Sequence, residues 1–338
     1  MNRCFHLAKN GLGNVSPNPL VGAVIVANDR IIGEGWHNKF GGAHAEVNAF
    51  ESVGKEHHHL LPESTLYVNL EPCNHHGKTP PCVDLLLEKK IPRVVISTVD
   101  SNPLVGGMGI KKLRENGVHV EIGILKEEGR SLNKRFFTFI EEKRPYVILK
   151  WAQTLDGLFA KNTSKQTWIT TEMSRRIVHK WRSEEDAILI GKNTLTVDKP
   201  KLNNRYFSAE KQPIRIVISA KVPQLRNYHF FDESQPSVII NSETESIENH
   251  MQYWQFDFNR NLLINILERL YKEKVQSVII EGGAYTLQQF LDENLWDEAR
   301  ILTGIEAFDE GKQAPTIKGT IIDHFHVDSD MVTYYKNN

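Results

Sequence analysis

Short runs of β-branched and aliphatic residues alternate with amphipathic stretches through the first half of the chain. Leu20 to Val26 and Arg30 to Trp36 read as two strands. Asn28-Asp29 between them is a hairpin signal, although it lacks the glycine that would strengthen it. A helical pattern covers 43–52, and Thr65 to Leu70 forms a third strand whose end delivers Glu71-Pro72-Cys73 to the sheet edge, where ligands of open α/β sheets gather. Pro80-Pro81-Cys82 opens a helix running to Lys90, because proline suits the first helical turn; this sets Cys82 near a helix N-terminus, where the dipole favours thiolate. Arg93 to Thr98 and Val118 to Ile122 supply two more strands, separated by a helix starting near Gly107. The repeating order predicts an α/β layer with helices on the sheet faces and largely parallel pairing.

The pattern restarts after the charged stretch Glu141-Glu142-Lys143-Arg144 and Pro145. A chain of 338 residues exceeds the usual size of one core, so two domains are expected, 1–144 and 145–338. Tyr146 to Lys150, Ala187 to Ile190, Ile214 to Ile218, Val238 to Ile240 and Val275 to Ile280 are apolar runs suited to strands buried on both faces. Helical patterns fill Ser174 to Ser183 and Asn261 to Glu273. The last of these strands breaks at Gly282-Gly283 before another helix, and backbone N–H groups at such a turn either hold a phosphate or serve an ordinary strand-to-helix junction.

Charge narrows the possible partners. Lys and Arg total 41 against 42 Asp and Glu, so no net positive field attracts nucleic acid or an anionic membrane, and small-molecule substrates fit better. No apolar run approaches the roughly 20 residues of a membrane span, and Met1-Asn2-Arg3-Cys4-Phe5 opens no export signal, so a cytoplasmic protein is expected. Three cysteines in a reducing compartment point to metal binding or catalysis for Cys73 and Cys82, and to packing for Cys4.

His44, Cys73 and Cys82 offer one imidazole and two thiolates, leaving a tetrahedral zinc one ligand short. Such a site holds a water and lowers its pKa to about 7. Glu46, two residues after His44, supplies a group able to carry that water's proton to a departing amine, which describes hydrolytic deamination. An ideal helix would turn Glu46 about 200° from His44, so the geometry is decisive. The alternatives are a closed site completed by His75 or His76, or two buried cysteines with no metal. Eight residues separate Cys73 from Cys82, where the nucleobase-deaminase pattern has two. That insertion carries His75, His76, Lys78 and Thr79, a cation, imidazoles and a hydroxyl suited to a substrate phosphate, or else it is a solvated loop. Asn18, between Pro17 and Pro19, either reads a pyrimidine edge through its amide or merely forms the turn.

Pro17-Asn18-Pro19-Leu20-Val21-Gly22, His44-Ala45-Glu46, and Glu71-Pro72-Cys73 through Thr79-Pro80-Pro81-Cys82 together resemble the deaminase half of the bifunctional riboflavin-biosynthesis deaminase/reductase family. The similarity continues past residue 144 over nearly the whole chain. It implies an N-terminal cytidine-deaminase-like α/β/α sandwich and a C-terminal dihydrofolate-reductase-like α/β domain. It further implies zinc and NADPH as cofactors. The implied reactions are deamination of 2,5-diamino-6-ribosylamino-4(3H)-pyrimidinone 5′-phosphate, then reduction of the ribosyl group of 5-amino-6-(5-phosphoribosylamino)uracil to ribityl.

In that reading His44, Cys73 and Cys82 hold zinc, Glu46 is catalytic, and Asn18, His76 and Lys78 meet the first substrate. Matching segments imply that Gln153, Trp168, Thr194, Asp198 and Ala220 line the NADPH site, with Gly283, Ala284, Tyr285, Thr286, Leu287, Gln288 and Gln289 cradling its phosphates. The resemblance sets Gln166, Arg182, Leu202, Arg205 and Glu281 around the second substrate; guanidinium forks suit a phosphomonoester. Gln153 and Thr154 stand where the family commonly has small residues, and Lys201 to Arg205 match only in part. Lys150 and Asp156 are candidates for orienting the sugar hydroxyls or polarising the opening ring. The competing reading is a zinc deaminase of nucleic-acid bases with a C-terminal binding module; balanced charge and the lack of a basic, aromatic-rich stretch count against it. A homo-oligomer is compatible with either.

Overall fold

The chain divides into two compact units, Met1–Lys143 and Arg144–Asn338, in a computed structural model that describes residues 1–75, 80–102, 106–162, 167–207, 211–222 and 228–338. Within the described residues no helix is long and apolar enough to cross a membrane.

The first unit runs α1 (Asn2–Ala8), β1 (Gly22–Ala27), β2 (Arg30–Trp36), α2 (Ala45–Glu51), β3 (Thr65–Leu70), α3 (Cys82–Glu88), β4 (Arg93–Thr98), α4 (Met108–Glu115), β5 (His119–Ile122), α5 (Lys126–Leu132) and α6 (Lys134–Glu141). Its sheet has the order β2-β1-β3-β4-β5. Pairing is mixed, not largely parallel: β1 runs antiparallel to β2 and β3, while β3, β4 and β5 are parallel. The strand-helix rhythm misled because a hairpin and one long connection precede the true βαβ units. The hairpin forms without glycine because Asn28 and Asp29 themselves adopt positive φ, 50° and 58°, as a twist-matched two-residue turn requires.

Strand alternation sends Ala23 and Ile25 to one face, with α2, α3 and α4, and Val24 to the other, with Cys4 and Leu7 of α1. Cys4 is fully buried there, as its packing role predicts, and burial raises its thiol to about 11. Helix α2 lies close to β2 because Gly35 has no side chain: a Cβ there would come within 2.6 Å of the Asn48 carbonyl carbon.

The second unit runs β6 (Tyr146–Gln153), β7 (Leu158–Ala160), α7 (Glu172–Glu184), β8 (Ala187–Gly191), α8 (Lys192–Asp198), β9 (Ile214–Ile218), β10 (Ser237–Asn241), β11 (Ser246–Glu248), β12 (Met251–Gln255), α9 (Leu262–Lys272), β13 (Ser277–Ile280), α10 (Ala284–Asp292), β14 (Glu298–Thr303), β15 (Lys312–Gln313), β16 (Thr320–Val327) and β17 (Asp330–Lys336). Ten strands form one sheet in the order β11-β12-β10-β9-β8-β13-β6-β14-β17-β16. The block from β12 to β14 is parallel, and β17 and β16 extend it antiparallel. Helices α9 and α10 cover one face and α7 the other, so strands such as Ala187–Gly191 are buried along their whole length. The consequence for function is positional: Gln153, Gly191, Ile218, Asn241 and Ile280 all end parallel strands along one sheet edge, where open α/β folds bind ligands.

Candidate active sites

In the first unit, His44 and Cys82 sit at helix starts and Cys73 lies in the turn after β3. His44 is the N-cap of α2, with extended backbone (φ −73°, ψ 163°), so the helical 200° offset does not separate it from Glu46. Cys82 is the first residue of α3, as its two prolines predict. His44 Nδ1 lies 3.3 Å from Cys82 Sγ and 3.4 Å from Cys73 Sγ, and the three ligand atoms all fall within 4.8 Å of one another. Tetrahedral zinc with ordinary Zn–S and Zn–N bonds needs N···S separations of about 3.5 Å, so the group fits the ion. Hydrogen bonds from the Cys82 thiol and the His44 imidazole lower Cys73 to about 4, giving a thiolate, while Cys82 is raised by its bond to Cys73 and by burial.

Glu46 is 3% exposed and hydrogen-bonded to the Cys82 thiol. Burial and the neighbouring Cys73 charge push its carboxyl up to about 7, where a proton carrier can both accept and donate near neutrality. Glu71 holds the Cys73 turn from behind. Its buried carboxylate accepts from the N–H groups of Gly107 (2.9 Å), Gly109 (3.0 Å), Asp100 (3.3 Å) and Ile110 (3.3 Å). Replacing Glu71 with Gln turns one of these acceptor oxygens into an amide donor facing N–H groups. Zinc affinity in Glu71→Gln is expected to fall roughly 10- to 100-fold, the usual effect of losing an outer support, as read by chelator competition with reductase activity unchanged.

Asn18 is placed by a network that the sequence did not reveal. The backbone beyond it is clamped where Leu20 N donates to Asn133 Oδ1 (2.8 Å) and Gly22 N to Asn69 Oδ1 (2.7 Å). The Asn18 amide itself meets His37: Nδ2 lies 3.1 Å from Nε2, and His37 Nδ1 lies 2.9 Å from the Ala43 carbonyl. That carbonyl only accepts, so Nδ1 carries the proton and Nε2 accepts from the Asn18 amide. Burial lowers the His37 pKa, consistent with a neutral ring, and the ring stands edge-on to His44 at 5.6 Å. His37 had no sequence signal beyond its place just after β2. His76 and Lys78 lie outside the described residues.

The second unit gathers its candidates along the C-terminal strand edge. Glu281, just past β13, has a side chain 6% exposed and accepts both prongs of the Arg182 fork from α7, Nε and Nη2, each at 2.7 Å. Lys150 of β6 joins at 3.1 Å. The Arg182 fork is therefore engaged by a carboxylate, and its remaining Nη1 donates to the Asn203 carbonyl at 3.3 Å. Arg205 is exposed, with Nη1 3.3 Å from Asn203 Oδ1 and its guanidinium 5.1 Å from the Tyr206 ring centre. Leu202 is buried in the core at positive φ. Gln166 lies outside the described residues. Asp156, by contrast, organises a loop: its carboxylate accepts from the Thr154 hydroxyl and from the Phe308 and Asp309 N–H groups at 3.0 Å.

Gly283 caps α10, and its N–H donates to Thr194 Oγ1 at 2.8 Å, tying α10 to α8. Gly282 has no room for a side chain: a Cβ would lie 2.6 Å from the Gly191 nitrogen and 2.8 Å from the Ile190 Cα. Within the next stretch, Thr286 and Leu287 turn their side chains into the core, Tyr285 is exposed, and Gln288 bonds the Thr316 N–H and Asp292. The Gly283 and Leu287 N–H groups are taken by Thr194 Oγ1 and the Gly283 carbonyl, so what this helix start offers an outside ligand is chiefly the N–H groups of residues 284–286. Ala220 lies two residues past β9 and accepts from Ser242 N at 3.0 Å, Asp198 ends α8, and Gln153 accepts the Trp151 indole N–H at 2.9 Å. Trp168 is exposed beneath the Arg175 guanidinium.

Residues 1–98 match the family described as cytidine and deoxycytidylate deaminase zinc-binding region, and residues 145–304 match the RibD C-terminal domain. The chain is 41% identical to the riboflavin biosynthesis protein RibD of Aquifex aeolicus over 318 residues, covering 92% of this chain and 87% of that one. With the Escherichia coli protein of that name it shares 33% identity, over 88% and 84% of the two chains. Among solved structures, a Thermotoga maritima diaminohydroxyphosphoribosylaminopyrimidine deaminase/5-amino-6-(5-phosphoribosylamino)uracil reductase is 36% identical, with a TM-score of 0.91 over 100% of this chain and 97% of that chain. Acinetobacter baumannii RibD is 30% identical with a TM-score of 0.90 over the same shares.

The chain belongs to the RibD family.

As a RibD protein it is a bifunctional enzyme of riboflavin biosynthesis, a zinc-binding deaminase joined to an NADPH-using reductase acting on small molecules. Both cofactors suit residues that are present. The His/Cys/Cys group has the donor chemistry and spacing zinc needs, and α10 starts after Gly283 with no side-chain cap on its first N–H groups, the donors a cofactor phosphate takes.

Proposed function

We propose that residues 1–143 deaminate 2,5-diamino-6-ribosylamino-4(3H)-pyrimidinone 5′-phosphate, and that residues 144–338 then reduce the ribosyl group of 5-amino-6-(5-phosphoribosylamino)uracil to ribityl. The observation that carries the first half is the buried Glu46 carboxyl, bonded to Cys82 within the His44/Cys73/Cys82 group. His44, Cys73 and Cys82 hold the metal. Zinc, when bound, lowers the pKa of water to about 7 and so furnishes the nucleophile. Glu46 takes the proton released as the water oxygen attacks the amine-bearing ring carbon and passes it to the departing nitrogen, so ammonia leaves and a carbonyl remains. Asn18, its amide fixed by His37, presents hydrogen-bonding groups to the pyrimidine edge, and His76 and Lys78 serve the phosphate.

In the second half NADPH, when bound, carries the hydride. The protein's part is placement. Gln153, Trp168, Thr194, Asp198, Ala220 and the 283–289 stretch hold the cofactor along the strand edge. Lys150 and Glu281 meet the sugar, Gln166 and Leu202 are assigned to the same substrate, and Arg182 fixes Glu281. The Arg182 fork is engaged by Glu281, and the exposed Arg205 serves the phosphate. The substrates are small polar metabolites, and the reading places the enzyme in the cytoplasm.

Supplying the purified zinc-loaded chain with the aminopyrimidine phosphate and NADPH is expected to release ammonia and consume NADPH in equal amounts. Ammonia release without NADPH oxidation, even with authentic deaminated product added, would remove the reductase half of the proposal.

A further inference from the structure

The segment 201–207 forms neither helix nor strand, yet side chains from outside it hold the backbone of residues 202–205. Leu202 O accepts from Gln235 Nε2 at 2.8 Å, and Asn203 O from Arg182 Nη1 at 3.3 Å. Gln212 takes both sides of Asn204, accepting from its N–H at 2.8 Å and donating to its carbonyl at 2.9 Å. The Asn204 side chain in turn closes on the N–H and carbonyl of Phe207. The next amide, that of Arg205, donates to His179 Nδ1 at 3.4 Å.

His179 lies on α7, one turn before Arg182, and is 3% exposed. The Tyr206 ring stands edge-on to it at 4.7 Å and 83°. Burial and the charges of Arg182 and Arg205 hold its imidazole down at about 3, so the ring is neutral and Nδ1 keeps a lone pair to accept with. One helix therefore carries both the residue that fixes Glu281 and the residue that fixes the backbone of Arg205. A flexible arginine on a free loop would lose conformational entropy on meeting a phosphate, and a pinned backbone removes part of that loss beforehand.

We propose that His179 is a positioning residue of the reductase step, whose Nδ1 fixes the Arg205 backbone and so presets that guanidinium for the substrate's phosphate. The inference rests on the assignment of Arg205 to the phosphate. It separates two roles at one edge: His179 acts on phosphate recognition, whereas hydride transfer depends on the cofactor and the groups around Glu281.

The test is steady-state reductase kinetics in the full zinc-loaded chain, with the phosphorylated substrate and with its dephosphorylated riboside. His179→Gln places its amide near the position of Nε2 and cannot reach the Arg205 N–H, whereas His179→Asn can bring an oxygen to the position of Nδ1. For the phosphorylated substrate, His179→Gln is expected to raise KM about 3- to 10-fold, the value of one hydrogen bond, with kcat kept. The riboside KM should not move, and His179→Asn should restore the parent KM. An equal KM rise for the riboside, or a fall confined to kcat, overturns the proposal. Arg205→Ala distinguishes the layers: if it raises KM for the phosphorylated substrate while His179→Gln does not, the positioning role fails alone; if Arg205→Ala changes nothing, the phosphate assignment fails and the positioning role with it.

Discussion

Glu46→Gln is expected to reduce ammonia release about 10²- to 10⁴-fold while the chain keeps one zinc and full reductase activity. The substitution keeps the shape of the side chain at a site where Glu46 is buried against the Cys82 thiol, so packing and the His44/Cys73/Cys82 group remain intact. What it removes is the ability to take up and return a proton. Metal content by elemental analysis and ammonia by a coupled assay separate the two readings of this residue. Parallel loss of zinc would make Glu46 a support of the metal group, and retained turnover would remove it from the mechanism.

Glu281→Ala is expected to destabilise the second unit by about 3–5 kcal/mol, because it leaves Lys150 and Arg182 buried and facing each other without their shared carboxylate. For a domain of that size this lowers the melting temperature by roughly 10 °C, which calorimetry can read as an earlier transition of this unit. The same ion pairs predict acid sensitivity. Burial alone would raise the Glu281 carboxyl, but the charges of Arg182 and Lys150 outweigh it and hold the carboxyl well below the ordinary value. A carboxylate whose folded pKa is depressed contributes stability that is complete above its unfolded value of about 4.3 and is lost as pH falls through the folded value. The second unit should therefore lose stability more steeply below about pH 4.3 than its Glu281→Gln variant does. Equal acid profiles for the two would show that the carboxylate is not the titrating group.

These two residues differ in how visible they are in the sequence. Glu46 announces itself by its place two residues after His44, with Pro-Cys pairs following, since catalysis at an open zinc site demands those residue types. Its nearness to the metal group depends on something no periodicity shows: His44 is a cap and not a helical residue, so the two side chains are not turned apart as ideal helix geometry would have them. Glu281 is legible as a polar residue at a strand end, but the sequence gives no reason to pair it with Arg182, 99 residues away. Sequence reading offers the Arg182 fork to a phosphate without showing the Glu281 carboxylate that meets it. The buried Glu281 carboxylate engages that fork, whereas Arg205 is exposed and its guanidinium is bonded only within its own segment among the described residues.

Fold elements show a similar division. Nearly every apolar run in the second half became a buried parallel strand, because both faces of that sheet are covered by helices and no alternation is needed. In the first half the Asn28-Asp29 hairpin and the parallel β3, β4 and β5 follow from the pattern, whereas the antiparallel pairing of β1 with β3 does not, since strand periodicity carries no information about which neighbour a strand chooses. The β16–β17 hairpin escaped notice because β16 is an exposed edge strand whose residues lack the apolar continuity of the core strands.

The sequence by itself determined the chemistry of this protein: one histidine, two cysteines and a glutamate in an order that suits hydrolytic deamination, followed by a second α/β unit with its ligand edge at strand ends. Residue type and order suffice for that, because donor chemistry belongs to the side chains themselves, although the fold must bring His44 to Cys73 and Cys82 across 29 and 38 residues. Only the tertiary structure decided which side chains remain available. His37 meets the Asn18 amide, Glu281 engages Arg182, Phe308 and Asp309 donate to Asp156, and His179 accepts from the Arg205 N–H. Those choices arise from contacts between segments distant in sequence, and for the buried Glu281 burial itself demands a partner before any substrate arrives.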